Sequence, residues 1–460
     1  MAGSEHALKR DDPYLAPMPM PHLVLGEGIL AQGVEKALLA AGVPVRRLRR
    51  PTDRELRRAL KDDVAAVTVI DRDDISALRS ALLVEYVRPG IRLVVTIFDR
   101  TVADQLISSI PNCNVVSMAD ASVGAIVGPC VDPQLVALHR TDDGDLIGVR
   151  DSGDEPPAVA PLPYHPPSAA VRLTRRLRAQ FRPPDRAARL LVWSVAGLLA
   201  LVLLETALAL STHHEPFVHA VYEATKAITT VGPSGFFEHG ATWIQLYGIA
   251  SMALGLVLTA VFTAALVNRL LSRRLTGIFG TRTIPRVDHV VVVGLGQVGF
   301  RLCLELRALG IDVVAVEQDE HAPNVALARG LKLPVVIGRG GDRYMLEGLS
   351  LSRARALAAV TSDELANISI SVAALAVQPG LRTILRAGSN EITQETAALF
   401  PIGIAQDLDR VAAAAVAATA IGHELAHAFV HRGATYIETP GGTERFPPAP
   451  PAVAAAPDRP

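Results

Sequence analysis

A glycine-rich turn is the first feature of the sequence whose residue types could bind a ligand. Residues 289–293 read HVVVV, and the next six, 294–299, read GLGQVG. A second apolar run, 313–316, ends at Glu317. Glycines at this spacing let backbone amides at a helix amino terminus approach a pyrophosphate, and an acid about 20 residues later accepts hydrogen bonds from ribose hydroxyls. The pattern predicts dinucleotide binding, with the same fold around an empty site as the alternative.

The strand patterns that follow place this turn in a larger fold. They lie at 335–338, 358–361 and 379–386, and residues 361–367 read TSDELAN. Together they resemble the regulator-of-potassium-conductance fold (RCK, TrkA-N type), which is shared with the nucleotide-binding regulatory subunits of bacterial potassium uptake systems. The resemblance covers about residues 285–430 and implies NAD or another adenine nucleotide as the cofactor. The cofactor-binding residues that it implies are Gly294, Gly296, Gln297, Val298, Gly299, Glu317, Gln318, Thr361 and Asp363.

Asn367 also matches the family pattern, whereas one family position departs from it. The Gly-Asp step that follows the third strand in the family reads Gly338-Arg339 here, and an acid comes only at Asp342. We therefore expect the contacts around the adenosine to differ from those of the family.

The first 140 residues repeat this pattern. At a constant offset of 268, the small residues Gly26, Gly28, Ala31 and Gly42 correspond to Gly294, Gly296, Gly299 and Gly310. Later, Pro89-Gly90 corresponds to Pro379-Gly380 at an offset of 290, so the first copy is 22 residues shorter between these points. That difference is enough to lose a strand and most of a helix.

The first copy also lacks the acid of the nucleotide pattern. The counterpart of Glu317 is Arg49, within the run RRLRR at 46–50. Arginine has no acceptor for a ribose hydroxyl. The first copy therefore either binds a more phosphorylated nucleotide or has a structural role, and its shortened third-strand region favours the structural role.

Two long apolar segments account for the mean hydropathy of +0.30. Residues 187–210 contain only Arg189 and Glu205 as charged residues, and residues 241–268 contain none. Each segment exceeds the ~20 residues that cross a ~30 Å hydrocarbon core. We predict two transmembrane helices, with buried helices of a soluble core as the alternative.

Arginines outside the two segments set the predicted orientation. Seven lie between 172 and 189 and three between 269 and 274, whereas the loop between the segments has only Lys226. An excess of cations marks the cytoplasmic side. The chain begins with no apolar signal segment. We therefore expect a multi-pass protein of the cell membrane with both termini in the cytoplasm.

The loop between the spans carries a second candidate site. Residues 217–230 are compatible with a helix too short to span, and residues 229–235 read TTVGPSG. Such a sequence can direct backbone carbonyls at an ion in place of its hydration shell. It resembles the pore loop of tetrameric potassium channels, whose motif is TTVGYG, which implies a homotetramer that conducts potassium or another monovalent cation. The ion-filter residues that it implies are Thr229, Thr230, Val231 and Gly232.

Two residues depart from that filter. Pro233 stands where the motif has an aromatic residue, and Ser234 stands where it has a second glycine. Proline fixes φ and has no N–H, so the outer carbonyl sites cannot form as in a standard filter. The alternatives are a pore loop without potassium selectivity and an ordinary extracellular hairpin.

Glu205 is an ionisable residue inside the first span. Such a residue is a functional-site hypothesis by default, but we favour an interfacial carboxylate at the outer mouth. In the second span, Ser251 and Gly255 are four residues apart and allow another helix to approach closely.

An HExxH pattern lies in residues 422–427, which read GHELAH. On a helix it places His423 and His427 on one face, where they could hold zinc with Glu424 as general base and His431 as a third ligand. The run before it is mostly alanine, and we expect the motif inside the last helix of the second domain. We predict no catalytic role and leave metal binding by His423 and His427 as a minor alternative.

Composition excludes several classes of protein. With 45 basic and 46 acidic side chains, the chain is not a generally basic nucleic-acid binder. Cys113, Cys130 and Cys303 form no CxxC pair, which excludes a disulfide scaffold or a thiolate zinc site and fits a reducing compartment. A nicotinamide-dependent dehydrogenase would need a second domain with a positioned acid or base. We see none in the sequence and expect no enzyme activity.

The predicted fold class is α/β plus membrane α, with two Rossmann-like doubly wound domains flanking a two-helix pore module with a re-entrant loop. The predicted function is a ligand-gated monovalent cation channel whose cytoplasmic domains bind a nucleotide. The alternative is a membrane-tethered regulatory subunit of a potassium transporter with a non-conducting pore. The predicted segments are a disordered start (1–20), a truncated first domain (21–140), a linker (141–186), a membrane module (187–272, with spans 187–210 and 241–271 and the pore helix and filter at 217–235), a second domain (285–432) and a disordered tail (433–460).

Overall fold

Two compact units make up the chain in the computed structural model. One comprises residues 1–166 and 288–460, and the other comprises residues 167–287. The structure describes residues 20–71, 73–98, 100–141, 144–151, 153, 157–164, 168, 170–171, 174, 186–213, 216–228, 241–271, 287–388, 395–396, 398–425 and 427–447.

The first repeat begins with a five-stranded parallel sheet of order β2-β1-β3-β4-β5. Its central strands are continuous apolar runs, as expected for a parallel sheet that helices cover on both faces. The elements are β1 (His22–Gly26), α1 (Gly28–Ala40), β2 (Val45–Leu48), α2 (Asp53–Ala59), β3 (Ala66–Ile70), α3 (Asp74–Val87), β4 (Arg92–Thr96), α4 (Arg100–Ser109) and β5 (Cys113–Val116).

A helix and a small sheet complete the first repeat. Ser117 caps helix α5 (Met118–Val131) by accepting the N–H of Asp120 at 3.2 Å, which satisfies one of the free amides of the first turn. An antiparallel sheet of three strands follows: β6 (Leu135–Arg140), β7 (Leu146–Arg150) and β8 (Ala158–Pro161).

The second unit contains the two predicted spans as helices α6 (Arg186–His213) and α8 (Thr242–Leu271), with the shorter α7 (Phe217–Ile228) between them in the chain. Leu190–Ser211 and Thr242–Val267 have mean hydropathies of 2.1 and 2.2 and are long enough to cross a membrane. The prediction of two long apolar helices is confirmed. The predicted filter at 229–232, with Pro233 and Ser234, lies outside the described residues.

The second repeat has a six-stranded parallel sheet of order β11-β10-β9-β12-β13-β14. Its last helix leads into a second antiparallel sheet of three strands. The elements are β9 (His289–Val293), α9 (Gln297–Ala308), β10 (Asp312–Glu317), α10 (Pro323–Gly330), β11 (Val335–Ile337), α11 (Arg343–Gly348), a 3₁₀ turn (Leu351–Arg353), β12 (Ala356–Ala359), α12 (Glu364–Val377), β13 (Thr383–Arg386), β14 (Ile404–Gln406), α13 (Leu408–Ile421), β15 (His427–His431), β16 (Ala434–Thr439) and β17 (Gly442–Arg445).

Both small sheets correct the sequence-based boundaries. Strands β7 and β8 lie in the segment predicted to be a linker, and β16 and β17 lie in the predicted disordered tail. Pairing within each sheet satisfies the backbone of these short runs, and each sheet buries apolar side chains, among them Val149, Tyr436 and Ile437. The overall composition of these segments hides that pattern, because only alternate residues face the core.

The two repeats exchange their last helices. Helix α5 of the first repeat shares a buried core with the second sheet, where Val123, Ile126 and Cys130 pack with residues such as Val290 and Leu302. The Nε of Arg301 on α9 meets the Oδ1 of Asp120 on α5 at 2.5 Å. Burial raises the pKa of the Cys130 thiol to about 12, so this cysteine acts as a small apolar core residue.

Helix α13 of the second repeat makes the reciprocal contact. It packs against α1 and shares a buried core with Leu30, Val34 and Leu38 of the first repeat. A Cβ added to Gly33 would lie 2.8 Å from the Cβ of Ala413, so the two helices meet through their smallest side chains. The alanine-rich composition of α13 is what this close approach requires.

The small sheets meet around a stacked pair of histidines. The rings of His139 on β6 and His427 on β15 are 4.5 Å apart and nearly parallel, and the Nε2 of His139 is 3.5 Å from the Oε2 of Glu438. Burial lowers the pKa of His139 to about 4. Burial, followed by the charge of His139, lowers that of His427 to about 3. Both rings are therefore neutral near pH 7.

We predict that acid destabilises this contact between the two small sheets. The histidines take up protons below about pH 6.5 in the unfolded chain but not in the folded one, so lowering the pH from about 6.5 to 5 costs about 2 kcal/mol for each histidine. Burial raises the pKa of Glu438, which reduces the net slope. Thermal unfolding of the full chain in detergent, followed against pH, measures the effect.

The control is an exposed histidine. The double variant His139→Gln, His427→Gln should show a flatter dependence of the unfolding temperature on pH, and His321→Gln should keep the original slope. Equal slopes in the double variant and the unaltered chain would contradict the assignment.

Candidate functional site

The glycine turn of the second repeat lies at the carboxyl end of β9. Gly294 has φ of +95°, a conformation that favours glycine. A Cβ on Gly299 would overlap the carbonyl oxygen of Gly294, so α9 can begin this close to the strand only without a side chain there. Gly296 is exposed, and its Cβ position has no heavy atom within 4 Å. One side of the turn is thus closed by packing and the other is open to a ligand.

Helix α9 aims its amino terminus at this open side. Gly296 is its N-cap, and Gln297, Val298 and Gly299 form its first turn. The amides of a first turn have no partner within the helix, and the helix dipole adds partial positive charge there. This geometry suits phosphate oxygens.

Glu317 sits beside the turn at the end of the neighbouring strand β10. Its Oε2 accepts the N–H of Leu295 at 2.7 Å, and its Oε1 accepts the N–H of Gln318 at 2.7 Å and of Asp319 at 3.2 Å. Three backbone amides thus hold the carboxylate at the edge of the glycine turn. Gln318 follows as an exposed residue.

Thr361 borders the turn on the other side, at the end of β12. Its N–H and hydroxyl donate to the Oδ1 of the buried Asn367 at 2.9 and 2.7 Å. Asn367 in turn donates to the carbonyls of Thr361 at 3.1 Å and Arg386 at 2.9 Å, which ties β12 to β13. A Cβ on Gly294 would lie 2.9 Å from the backbone N of Thr361. The Asn367 hydrogen bonds therefore hold the end of β12 close against the glycine turn.

Asp363 has a helix-capping role. Its Oδ1 accepts the N–H of Ala366 at 3.2 Å at the start of α12. Asp73, at the equivalent position of the first repeat, caps α3 by accepting the N–H of Ser76 at 3.1 Å. Because both repeats have this cap, its presence does not distinguish a nucleotide site.

Sequence patterns did not reveal two residues that shape the turn. The Nδ2 of Asn324, a buried residue at the start of α10, donates to the carbonyl of Leu295 at 3.0 Å. A Cβ on Gly340 would overlap the side chain of Val293, so the loop after β11 passes close to the end of β9. The only sequence signal for Asn324 is a polar residue after Pro323 within an apolar-periodic helix.

The loop that departs from the family pattern differs in its contacts too. The side chain of Asp342 caps α11 by accepting the N–H of Tyr344 at 2.9 Å. Arg339 is exposed after β11. An arginine thus occupies the place of the family acid, and the next acid is engaged in a helix cap.

The equivalent turn of the first repeat carries its own carboxylate. Gly26 has a positive φ of +151° as Gly294 has, but Gly28 has φ of +84° where Gly296 has −66°, so the two turns differ in backbone conformation. Glu27, the N-cap residue of α1, stands at the position of Leu295 and makes no side-chain cap hydrogen bond; its carboxylate forms an ion pair with Arg50. The first turn thus carries an acid and its arginine where the second has an apolar residue.

The other positions of the first repeat also depart from a nucleotide site. Arg49 is exposed at the counterpart of Glu317, and Ala77 stands where the second repeat has Asn367. Ion pairs bind two neighbouring arginines within the repeat: Arg46 with Asp62 at 2.7 Å and Arg47 with Glu35 at 3.0 Å.

The HExxH pattern does not lie on a helix, and that expectation is wrong. Helix α13 ends at Ile421 and Gly422 caps it with φ of +100°, whereas His427 begins strand β15. His423 faces Glu444, with 3.2 Å between its Nδ1 and Oε1. His431 lies 3.6 Å from the Oδ1 of Asp151. No group of three or more His, Cys, Asp or Glu side chains converges as metal ligands among the described residues.

Glu205 is enclosed by its own unit. It lies in α6, six residues before the end of the candidate span, and only 3% of its surface is exposed. Ser251 on α8 is equally buried. The place of Glu205 at the outer mouth stays a prediction.

The glycine turn lies in a segment that matches a known domain. Residues 290–400 match the TrkA-N domain. Potassium channel protein 1 of Methanocaldococcus jannaschii is 21% identical over 198 residues, which cover 41% of this chain and 58% of that protein. The Trk system potassium uptake protein TrkA homolog of Pyrococcus horikoshii is 32% identical over 100 residues, covering 21% of this chain and 42% of that protein. The chain thus spans about half the length of these curated relatives.

Among solved structures, one match spans most of the chain. The crystal structure of the GsuK RCK domain is 12% identical, with a TM-score of 0.46, and covers 88% of this chain and 77% of that one. The chain is an α/β protein with two Rossmann-like parallel sheets. In the sequence, one sheet precedes and the other follows two long apolar helices. It carries a TrkA-N domain in its second repeat.

Two glycines of the turn should respond differently to alanine. Gly299→Ala forces a Cβ onto the Gly294 carbonyl and should lower the free energy of unfolding by about 2 kcal/mol or more. Gly296→Ala has open space and a φ of −66°, so it should change that free energy by less than about 0.5 kcal/mol. Denaturant unfolding of the full chain tests both, and equal losses would contradict this assignment of closed and open sides.

Proposed function

We propose that the chain is a ligand-gated monovalent cation channel whose second repeat binds NAD or another adenine nucleotide and thereby controls the pore. The observation that carries the proposal is the glycine turn of β9 and α9, open at Gly296 and bordered by the Glu317 carboxylate. The TrkA-N match over residues 290–400 and the likeness to an archaeal potassium channel protein support it. The nucleotide serves as a ligand, and we propose no reaction on it.

Each part of the turn has a role toward an adenine nucleotide. The open Gly296 and the first-turn amides of α9 would receive the pyrophosphate oxygens. Glu317 would accept hydrogen bonds from the adenosine ribose hydroxyls, which requires it to exchange some of its backbone amide partners for the ligand. Thr361 would border the ligand from β12, because Asn367 fixes its position.

Nucleotide binding reaches the first repeat through the exchanged helices. The helix that begins at the pyrophosphate position, α9, holds α5 of the first repeat through Arg301 and Asp120. The chain runs from the first repeat into α6 and from α8 into the second repeat. A ligand that prefers one arrangement of the joined repeats therefore shifts the pore equilibrium by its difference in affinity between the two states.

The pore itself rests on the sequence between α7 and α8. Thr229, Thr230, Val231 and Gly232 match the inner part of a potassium filter, which makes potassium the permeant ion we propose. The arginines that flank the two spans support a position of both termini in the cytoplasm, at the cell membrane. This topology puts both repeats on the side where adenine nucleotides are abundant.

A pore of this kind needs four chains around one axis, so we propose a homotetramer. Each repeat offers an exposed apolar residue at the same place for contacts between copies. Ile75 on α3 and Leu365 on α12 are related by an offset of 290 and are 76% and 60% exposed. Apolar residues on repeated, equivalent faces suit assembly of copies into a ring.

A second candidate is a membrane-tethered regulatory subunit of a potassium transporter. Pro233 favours it, because the missing N–H and fixed φ disturb the outer filter. The likeness to an archaeal Trk potassium uptake protein also favours it. In this case the repeats bind the nucleotide in the same way, but the pore does not conduct.

Cation efflux from liposomes tests the proposal. We expect the reconstituted chain to release potassium or another monovalent cation, at a rate that changes about fivefold or more when NAD or another adenine nucleotide reaches the second repeat. Glu317→Ala should remove the response to nucleotide while leaving basal efflux, and Arg49→Ala should keep the response.

Two outcomes would count against this reading. An absence of efflux for every monovalent cation, with and without nucleotide, would reject conduction and support the regulatory-subunit candidate. Efflux that is indifferent to nucleotide would reject the gating role of the second repeat.

A further inference from the structure

Helix α2 of the first repeat and the turn that follows it carry four neighbouring cations. Arg54, Arg57 and Arg58 have the spacing i, i+3 and i+4, which aligns side chains along one side of a helix, and Lys61 lies in the turn two residues after the helix end. The opposite side is buried in the first repeat's core through Leu56, Ala59 and Leu60. The four cations line an open cavity of about 510 Å³. We call these four side chains the basic stripe.

None of the four side chains of the basic stripe forms an ion pair within the residues that the structure describes. Arg57 lies over the ring of Tyr86, with 5.5 Å to the centroid, and Arg58 has only a Coulombic interaction with Glu55. Of the other six described arginines between positions 46 and 88, Arg49 is exposed and without an ion pair. The remaining five are paired: Arg46 with Asp62, Arg47 with Glu35, Arg50 with Glu27, Arg79 with Asp53 and Arg88 with Asp63.

Folding alone gives little reason for this arrangement. Like charges three and four residues apart repel and destabilise a helix. The helix dipole compensates for Arg57 and Arg58, which lie in the last turn, but not for Arg54 at the start. Two carboxylates lie nearby, but both have other partners: Asp53 pairs with Arg79, and Glu55 accepts the N–H of Thr52 at the start of the helix. The charge that remains without such compensation, on Arg54 and Lys61, points to a partner that supplies anions.

We propose that the basic stripe binds the phosphate-bearing headgroups of anionic lipids at the cytoplasmic surface of the membrane. Two candidate spans of the same chain tether the first repeat at a bilayer, so a weak surface contact becomes effectively intramolecular. Clusters of arginine and lysine on such a tethered domain are attracted by the negative potential of anionic lipids. The proposal depends on the spans and not on conduction or nucleotide binding.

The shape of the stripe favours lipid over nucleic acid. Seven helical residues and Lys61 present a compact face beside the ring of Tyr86, which is 75% exposed. Tyr86 offers one stacking surface, whereas proteins that bind single-stranded nucleic acids stack successive bases on several aromatic rings. The open cavity is lined by the four cations of the stripe and suits headgroup phosphates that approach from a plane.

Lys61 provides a reporter for the test. The full chain is placed in nanodiscs of phosphatidylcholine alone or with one third phosphatidylserine, and acetylation of each lysine by an amine-reactive ester is followed by mass spectrometry. We expect acetylation of Lys61 to be at least about threefold slower with phosphatidylserine, because the ammonium group is engaged by headgroups. Lys36, exposed on α1 of the same repeat, is the internal control and should react equally in both.

Two further conditions identify the contact. High salt should restore the rate at Lys61, since screening weakens a surface contact between charges. The triple variant Arg54→Gln, Arg57→Gln, Arg58→Gln should remove the effect of phosphatidylserine, whereas Arg343→Gln, on the second repeat, should keep it.

Three results would overturn the proposal. The first is an equal acetylation rate of Lys61 in both kinds of nanodisc, and the second is an equal slowing of acetylation at Lys36. The third is protection of Lys61 in phosphatidylcholine nanodiscs by inorganic phosphate or by a single-stranded RNA oligonucleotide at physiological salt. The last of these would assign the stripe to free phosphate or to nucleic acid.

Discussion

The exchange of α5 and α13 between the two repeats is the packing interaction on which the rest of the soluble unit depends. Each helix completes the core of the other repeat's sheet, and neither sheet can bury its apolar face on that side without its partner. Glycine and alanine allow the close approach, as Gly33 and Ala413 show. Because the second repeat's nucleotide turn begins the helix that holds α5, a change there acts directly on the shared core.

Two copies of one glycine turn have acquired different contacts on this common framework. The second repeat leaves Gly296 open and holds Glu317 beside it through backbone amides. The first repeat supplies Glu27 and Arg50 to the same place. Glu27 makes no side-chain cap of α1 and pairs with Arg50 instead. The shortened segment between β2 and β3 of the first repeat presents a basic face.

Local patterns predicted the parts of the fold that local chemistry determines. The glycine turn, Glu317 and the two long apolar helices follow from spacing and length alone. The helix exchange could not be predicted in this way, because it arises from contacts between residues hundreds of positions apart in the chain. The small antiparallel sheets pair neighbouring strands, but the composition of their segments hid the alternation of buried and exposed residues. The HExxH pattern misled because Gly422 ends the helix before it and His427 begins a strand that packs against His139 of the other repeat.

The central claim is that one repeat of each chain senses a nucleotide and the other supports it. The stoichiometry of binding tests this most directly, by isothermal titration of the full chain in detergent with NAD and, in parallel, with ADP and ATP. The account predicts one nucleotide per chain for the ligand that binds, with a stoichiometry unchanged by Arg49→Ala. Two nucleotides per chain, or no binding of any of the three, would contradict it.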